Sequence, residues 1–538
     1  MTKTDTAPVQ GDWVNASMNR ALEWWRRPIL QNRFYLGSFF LILTGACLAR
    51  AYIGLSGMRA YSHDAFVFLD GGWRVLNGQK PHIDFFSDIG PLVHVVSAVG
   101  LLLARGRAEG LGYAQAVVGC ALGLWAWFLS DRRLGQMPRA LFCLSAVFLA
   151  VSPYTPGDAA MRVSPAVVYN RYGYVWIALV MLEASCERID CDSRRNFTGG
   201  LSTGAIAALL LFLKISYFPG ALFLLAALWP CRRQTAARWV GIGAGFVAAL
   251  IPFLAFLNWT LLPMLADLRI LAGAKHISWH WSMADAVYHE LAPLLIFVLM
   301  AAGLLWVDGA THEARSVFFA GAATALAGVL FLVSNFQGNR LPLNAFAAIL
   351  IVQIVDSRFA ASCRRALLRC SVLAWAALFI LGSIGLDAAG LGFGLAGRVL
   401  PSQFPRQPFH AARLAEFWSS ETDCVSFVND GIDLVQRNRR PGDSLTSLDF
   451  SNPFSYSLGM KPVKGGMVDL QYRTNFDDFH APSPERLMAG ATLVMVPRAF
   501  SDGTLTMSVP RIFGPYLESH FHRIGESQQW RLYRQNQR

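Results

Sequence analysis

The sequence predicts a mainly α, polytopic helical membrane protein with a soluble α/β domain at its C-terminal end. Of the 538 residues, 54% are hydrophobic and only 15% are charged, and the mean hydropathy is +0.37. A soluble domain usually has fewer apolar residues and more charge. Apolar runs of roughly 17–25 residues recur along most of the chain, and each can cross a membrane as a helix. After about residue 400 the apolar runs shorten to strand length.

Eleven stretches are candidate membrane spans. We place them at 34–55, 113–130, 139–153, 172–186, 200–214, 217–230, 239–262, 291–307, 316–334, 341–356 and 370–388. The apolar run Pro91–Leu103 is too short to span comfortably, and we expect it to lie at the outer interface. This predicts a cytoplasmic tail at 1–33 and a transmembrane module at 34–390, with an outer first loop at 56–112. An outer α/β domain occupies 391–538.

The distribution of basic residues sets the predicted orientation. The net charge of +12 could suggest a nucleic-acid partner, but lysine and arginine occur in short clusters between apolar runs. If Pro91–Leu103 does not cross, these clusters share one side with the basic N-terminal tail, as the positive-inside rule requires. We therefore expect no nucleic-acid partner and an integral protein of a bacterial inner (plasma) membrane. The nine cysteines form no C-x-x-C pair, so neither a disulfide framework nor a zinc site is indicated.

The C-terminal region has the pattern of a small α/β domain. A proline-rich linker at Pro401–Pro408 precedes a helical pattern at Val425–Arg437. Predicted strands follow at Ser444–Phe450, Thr492–Val496 and Trp530–Tyr533. The residues after the first of these strands suit either ligand binding or a turn, and we assign the domain no chemistry.

The loop Tyr61–Leu92 is the most polar stretch beside an apolar run. Four apolar side chains at helical spacing predict an amphipathic helix lying on the membrane: Phe66, Leu69, Trp73 and Leu76. Within it, Asp70 and Arg74 are expected to form an ordinary surface ion pair. Asp84 and Asp88 are expected to shape the following turn. Asp64 precedes the helix, where a carboxylate can either cap free N–H groups or act as a general base.

This loop resembles that of the GT-C membrane glycosyltransferases, the superfamily of the protein mannosyltransferases and of the aminoarabinose transferase that modifies lipid A. The resemblance rests on an aspartate just after the first span and on the segment W-R-V-L-N-G-Q-K-P-H-I-D-F-F-S-D-I-G-P-L. It implies transfer of a sugar, with inversion, from a polyprenyl-phosphate donor to a lipid, glycan or protein acceptor on the outer face. Asp64 would then deprotonate or hold the acceptor hydroxyl. The chain departs from the family pattern at Ala65 and Ile89, where relatives often have an acidic residue and a lysine.

The resemblance also implies a second carboxylate just before the fourth span, where this chain has Tyr169–Tyr172. Asp158, earlier in the same outer loop, is the candidate to replace it, although a helix cap or a solvated loop explains it equally well. One or two carboxylates are compatible with a divalent cation, Mg²⁺ or Mn²⁺, as cofactor, while the histidine spacing indicates no metal site.

Basic residues on the outer side are candidate ligands of the donor phosphate. Lys214 lies at the outer end of the fifth span, where a snorkelling anchor is the alternative. Arg340 precedes Leu-Pro in a short outer loop, and Asn170 and Arg171 lie at the start of the fourth span. Cations also occur among aromatic residues in the loop 275–281, which suits sugar or phosphate binding but also an aromatic belt: Lys275, His276 and His280.

Two other classes of protein remain as alternatives. A transporter or flippase of a lipid-linked saccharide would place ionisable groups near mid-membrane, often in paired repeats. This chain instead concentrates them in loops on one side and shows no repeat, which favours the enzyme. A polymerase or ligase that uses a lipid diphosphate would depend on outer arginine and histidine residues rather than on Asp64.

Overall fold

A computed structural model describes residues 31–187, 192–275, 284, 287–334, 340–358, 366–401, 407–500 and 502–536. Helices coincide with all eleven predicted spans, so the prediction of a polytopic helical protein is confirmed. Seven helices in the described part of the chain are long and apolar enough to cross a membrane.

The helices of the N-terminal three quarters are α1 (Arg33–Ile53), α2 (Asp64–Leu76), α3 (Pro91–Leu103), α4 (Gly110–Ser130), α5 (Gln136–Val151), α6 (Val168–Ser185), α7 (Ser193–Leu213), α8 (Tyr217–Ala227), α9 (Ala236–Phe256), α10 (Leu262–Ala274), α11 (Ala292–Val307), α12 (Thr311–Ser334), α13 (Leu343–Arg358) and α14 (Ala366–Val399). Helix α10, which follows α9 after a short turn, was not predicted. Several starts are fixed by side-chain caps, such as Asp192, which accepts from the Arg195 N–H at 2.7 Å.

Charged groups meet where α6 ends and α7 and α9 begin, and we call this the Glu183 end of the bundle. The Glu183 carboxylate is fully buried and lies 2.6 Å from Arg232 and 2.7 Å from Arg238. Arg232 also donates to the Asn196 side chain at 2.7 Å. Two of the arginines predicted to share one side therefore lie together, at the end opposite the first loop.

Helix α3 does not cross the bundle. At its start, the Gly90 N–H donates to the Leu213 carbonyl at 3.0 Å, at the far end of α7 from Glu183. Near its other end, a Cβ added at Gly100 would lie 2.1 Å from the carbonyl oxygen of Gly110, where α4 begins. Both ends of α3 thus lie at the end of the bundle that carries the first loop, which we call the Asp64 end.

Helices α7 and α9 cross through paired small residues. Gly200 and Gly204 on α7 face Gly241 and Gly245 on α9, each pair spaced by four residues. A Cβ at Gly204 would lie 1.9 Å from the Ile242 carbonyl oxygen, so the two backbones are in direct contact. Without a hydrophobic driving force in lipid, this close backbone packing is what holds such helices together.

The C-terminal part is an α/β unit, as predicted. A two-stranded sheet pairs β1 (Gln407–Pro408) with β2 (Trp418–Ser419). A four-stranded sheet has the order β3-β4-β6-β5 and is formed by β3 (Leu445–Ser447), β4 (Leu493–Pro497), β5 (Phe521–Glu526) and β6 (Trp530–Gln535). Strands β3 and β4 are parallel, and the other pairs are antiparallel. Its helices are α15 (Thr422–Asn438), α16 (Phe454–Ser457), α17 (Pro484–Met488) and α18 (Leu505–His520). Of the elements in this part, the sequence predicted α15, β3, β4 and β6 and missed the others.

Candidate active site

The first loop (56–112) and the C-terminal domain are joined by a parallel backbone bridge between Phe86 and Met467. The Phe86 N–H donates to the Gly466 carbonyl at 3.0 Å. Asp88 and Asp469 each lie two positions beyond this bridge on their own segment, and their side chains are close enough to interact.

The same docking buries the ion pair that was predicted for the surface. The Arg74 Nε donates to Asp70 at 2.7 Å, which confirms the pair, but both side chains are completely buried. Arg74 also donates to the carbonyls of Val463 and Gly465 at 2.8 and 2.9 Å. The surface assignment was wrong because the C-terminal domain covers α2.

Helix α2 itself is confirmed, but its apolar side chains contact protein. Phe66 is 1% exposed and packs against Phe409 and Phe417, with ring centroids 5.8 and 5.7 Å away. Trp73 donates from its indole N–H to the Met460 carbonyl at 2.9 Å. Phe66 and Trp73, two residues of the hydrophobic stripe that predicted a helix on the membrane, thus pack on the C-terminal domain, whereas Leu76 is 38% exposed.

Lys214 is held beside Asp88 by a backbone contact between the loop and α7. A Cβ at Gly90 would lie 2.0 Å from the Phe212 carbonyl oxygen, so only glycine permits this approach. This approach and the Gly90–Leu213 hydrogen bond bring Lys214 close to Asp88. Lys214 directly follows α7, and Asp88 lies two residues before Gly90. The Lys214 Nζ lies 5.2 Å from the centre of the Tyr169 ring.

These residues border a cavity of about 420 Å³, which we call the Lys214 cavity. Its polar wall contains Asp88, Tyr169, Lys214, Ser216, Lys275, Gln471 and Thr474. Its apolar wall contains Val167, Ile215, Leu268, Leu271 and Ala272. Two of the predicted donor ligands, Lys214 and Lys275, therefore share one cavity. Gln471 and Thr474 come from the C-terminal domain, to which no chemistry had been assigned.

The carboxyl groups of Asp88 and Asp469 lie close together, and the Oδ1 of each is buried without a hydrogen-bond partner among the described residues. Burial, and then the charge and proximity of Asp88, raise the pKa of Asp469 well above its ordinary value; Asp64 adds to this, and Lys214 opposes it. Asp469 therefore binds a proton more readily than an exposed aspartate does.

Replacing Asp469 with Asn is expected to make the protein's stability less dependent on pH. Because the pKa of Asp469 is raised on folding, the wild type loses stability as pH rises from the ordinary carboxyl value of 3.8 through the raised pKa. Asn cannot titrate and its amide can donate to Asp88. We expect the variant to be more stable at pH 8 by about 1–3 kcal/mol, the cost of a buried polar group without a suitable partner. Thermal unfolding at pH 4 and pH 8 measures this difference, and parallel pH curves for the two proteins would contradict it.

Asp64 is the first residue of α2, and its Oδ1 lies 3.2 Å from the Nε2 of His63. Burial disfavours protonated His63, but the Asp64 carboxylate, and then Glu421 and Asp449, outweigh burial and raise the His63 pKa. The neighbouring Ser62 N–H donates to Glu421 at 2.8 Å, which fixes the backbone just before Asp64. A carboxylate in the first turn of a helix is also stabilised by the helix dipole.

Two other predicted residues are engaged in pairs elsewhere. Asp158 lies 3.4 Å from Arg162, whose guanidinium lies 5.2 Å from the centre of the Tyr61 ring. Arg340 lies 3.1 Å from Asp387 on α14 and also contacts the Tyr154 hydroxyl. Neither Asp158 nor Arg340 is among the described residues that line the Lys214 cavity.

Arg171 and Asn170 are buried at the start of α6, beside Tyr169. None of the three guanidinium nitrogens of Arg171 has a hydrogen-bond partner among the described residues, and neither amide atom of Asn170 has one. The structure does not bring them to the wall of the Lys214 cavity. His276 and His280 lie outside the described residues.

Asp469, Gln471 and Thr474 are the site residues that the sequence did not indicate. They lie in a loop, at no recognisable spacing, so no pattern distinguished them from ordinary turn residues. The same is true of the role of Asp88 as a cavity residue. Within the described part of the chain, no group of three or more His, Cys, Asp or Glu side chains has the arrangement of a metal site.

The fold and the site define an integral membrane protein with a charged cavity shared between a helical bundle and an α/β domain. Two solved structures of ArnT from Cupriavidus metallidurans align with most of the chain. The apo structure is 12% identical, with 93% of this chain and 98% of that chain covered and a TM-score of 0.47. The structure bound to undecaprenyl phosphate is 11% identical, with 92% and 98% covered and a TM-score of 0.48. The sequence matches no protein-family model and no curated protein.

Proposed function

We propose that this chain is an inverting GT-C type glycosyltransferase that moves a sugar from a polyprenyl-phosphate donor to an envelope acceptor. The observation that carries the proposal is the Lys214 cavity. Its wall combines the amino groups of Lys214 and Lys275 and the carboxyl group of Asp88 with apolar side chains. A polyprenyl-phosphate sugar has the matching chemistry, because an anionic phosphodiester joins a hydrocarbon chain to a polar sugar.

The side chains of the cavity suit a phosphodiester. Lys214 and Lys275 line it, and Asp88 is the one acidic residue among its described lining residues. Basic side chains therefore outnumber acidic ones at the wall, as binding of an anion requires. Charge-assisted hydrogen bonds from lysine would hold its oxygens, and Leu268 and Leu271 would contact the first prenyl units.

Asp64 would act as the general base. Its carboxylate takes the proton of the acceptor hydroxyl while the acceptor oxygen attacks the anomeric carbon from the face opposite the phosphate. The bond from that carbon to the phosphate oxygen breaks, and its electron pair leaves on polyprenyl phosphate, where Lys214 stabilises the charge. A single displacement of this kind inverts the anomeric centre.

The Asp64 end of the bundle is proposed to be the outer end. Arg232 and Arg238 are at the opposite, Glu183 end, and Arg133 there donates to the Cys186 carbonyl at 2.6 Å. The positive-inside rule assigns such a basic end to the cytoplasm. The cavity and the C-terminal domain would then face the periplasm, where donor and acceptor meet.

Replacing Lys214 with Met tests the proposed donor site. Because a hydrogen bond to a charged group contributes about 1.5–3 kcal/mol, binding of undecaprenyl phosphate is expected to weaken roughly 10- to 100-fold. Native mass spectrometry of the purified protein in nanodiscs measures this binding. The matched control is Lys461→Met, at an exposed lysine of the C-terminal domain.

The same substitution has an expected effect in cells. Mass spectrometry of envelope glycans and glycolipids should show that the Lys214→Met strain lacks the sugar that a deletion strain lacks, while the Lys461→Met strain retains it. Unchanged envelope glycans in the deletion strain, with the wild-type protein expressed in its parent, would refute the proposed function.

A further inference from the structure

A second cavity lies between the start of α2 and the C-terminal domain. We call it the His63 cavity, and its volume is about 300 Å³. Three phenylalanines, Phe66, Phe427 and Phe500, line it. Polar groups from the C-terminal domain, among them Asp449 and Gln529, line it as well.

Asp64 is next to the His63 cavity. His63, which lines the cavity, is 3.2 Å from Asp64. Cys424 also lines it; burial raises the Cys424 pKa to about 12, and the charges of Glu421, Asp449 and Asp64 add to this rise. Asp64 also contributes to the raised pKa of Asp469, and Asp88, which acts on Asp469 as well, lines the Lys214 cavity. A base in this position would take a proton from a molecule in the His63 cavity while the sugar donor is held in the Lys214 cavity.

The walls of the His63 cavity define the chemistry of its ligand. Aromatic faces pack on the C–H faces of sugar rings, and carboxylate and amide oxygens accept hydrogen bonds from hydroxyl groups. Asp423 and Asp449 both line the cavity, whereas no lysine or arginine does so among its described lining residues. With two carboxyl groups, and His63 as the one basic side chain among the described lining residues, the wall favours a neutral molecule rich in hydroxyls over a phosphate or carboxylate group.

We infer that the His63 cavity binds the acceptor and that the acceptor is the sugar hydroxyl of an uncharged envelope glycan rather than a lipid phosphate or a protein. This inference rests on the proposed function and identifies the acceptor class that it leaves open. The acceptor hydroxyl loses its proton to Asp64, and its oxygen forms the new bond to the anomeric carbon of the donor. Polyprenyl phosphate leaves with the electron pair of the broken bond. The products are the extended glycan, polyprenyl phosphate and protonated Asp64.

Fractionated envelope from a deletion strain identifies the acceptor class. Purified protein is incubated with membranes of that strain, which supply lipid-linked donors, and with its delipidated polysaccharide, lipid extract or envelope protein in turn. Mass spectrometry is expected to find the added sugar on the polysaccharide alone. Sugar added to lipid or protein instead would overturn the acceptor assignment but not the proposed function. If the wild type transferred sugar to none of the fractions, the proposed function itself would fail, and the acceptor assignment with it.

Two variants of the cavity wall test its location. For Asp449→Asn and Phe500→Ala, the polysaccharide concentration that gives half-maximal transfer is expected to rise about tenfold, the effect of losing one favourable contact. The binding of undecaprenyl phosphate should stay near the wild-type value, because neither residue is among the described residues lining the Lys214 cavity. Phe500 is only partly buried, so its variant remains informative if Asp449→Asn fails to fold. The control is Asp433→Asn. Asp433 also lies in the C-terminal domain, on α15, but its carboxylate lies 3.0 Å from the Nδ1 of His410. Wild-type half-saturation in a folded cavity variant would overturn the inference.

Discussion

Replacing Asp64 with Asn is expected to lower the rate of sugar transfer by about 10²- to 10⁴-fold, the usual contribution of a general base. Asn keeps the size of the side chain and can still contact His63, but its amide cannot accept the acceptor proton. Binding of undecaprenyl phosphate should not weaken, because Asp64 is not among the described residues lining the Lys214 cavity. Transfer rate and lipid binding, measured on the same purified preparation, therefore separate a chemical defect from a folding defect.

Asp158→Asn is the informative comparison, since both aspartates are candidate catalytic residues. Asp158 lies beside Arg162, and on this geometry we expect its loss to reduce transfer far less than loss of Asp64. An equal loss in both variants would mean that the two carboxylates act together. Full activity of Asp64→Asn would remove Asp64 as the base and favour a mechanism that depends on arginine or histidine.

Replacing Glu183 with Gln is expected to lower the free energy of unfolding by about 3–5 kcal/mol, the range for breaking a buried ion pair on one side. Glu183 lies between Arg232 and Arg238, and all three side chains are almost completely buried. The variant leaves two buried guanidinium groups without a carboxylate.

Thermal unfolding in detergent measures the effect of Glu183→Gln. The control is Glu187→Gln, at an exposed position four residues later, for which a change within about 0.5 kcal/mol is expected. A Glu183→Gln protein as stable as the wild type would mean that other groups neutralise the arginines. Since the cluster lies at the Glu183 end, donor binding by the protein that remains folded should be unchanged.

The membrane helices could be predicted from the sequence because hydrophobic length is a local property. The run at 239–256 is apolar throughout, and its helix begins within three residues of the predicted span. The position of α3 could also be predicted from the sequence. Leaving Pro91–Leu103 out of the membrane spans was the choice that put the basic clusters on one side. The Asp70–Arg74 pair was predicted because it depends only on the spacing along one helix.

Properties that depend on how distant segments dock could not be predicted. Whether Asp70 is exposed depends on the segment around Val463, almost four hundred residues away. The sequence predicted only a turn role for Asp88. Its partner, Asp469, can be identified only from the bridge between Phe86 and Met467, which joins two distant segments. Arg340 looked like a free loop cation because Asp387 lies within the hydrophobic pattern of α14.

The Phe86–Met467 bridge limits how such a protein can be recombined. Because the first loop and the C-terminal domain share backbone hydrogen bonds and jointly supply Asp88 and Asp469, neither is an exchangeable module. We expect a chimera that takes its C-terminal domain from a related chain to need residues 56–112 from the same parent. The two segments form one structural unit although the whole membrane bundle separates them in the chain.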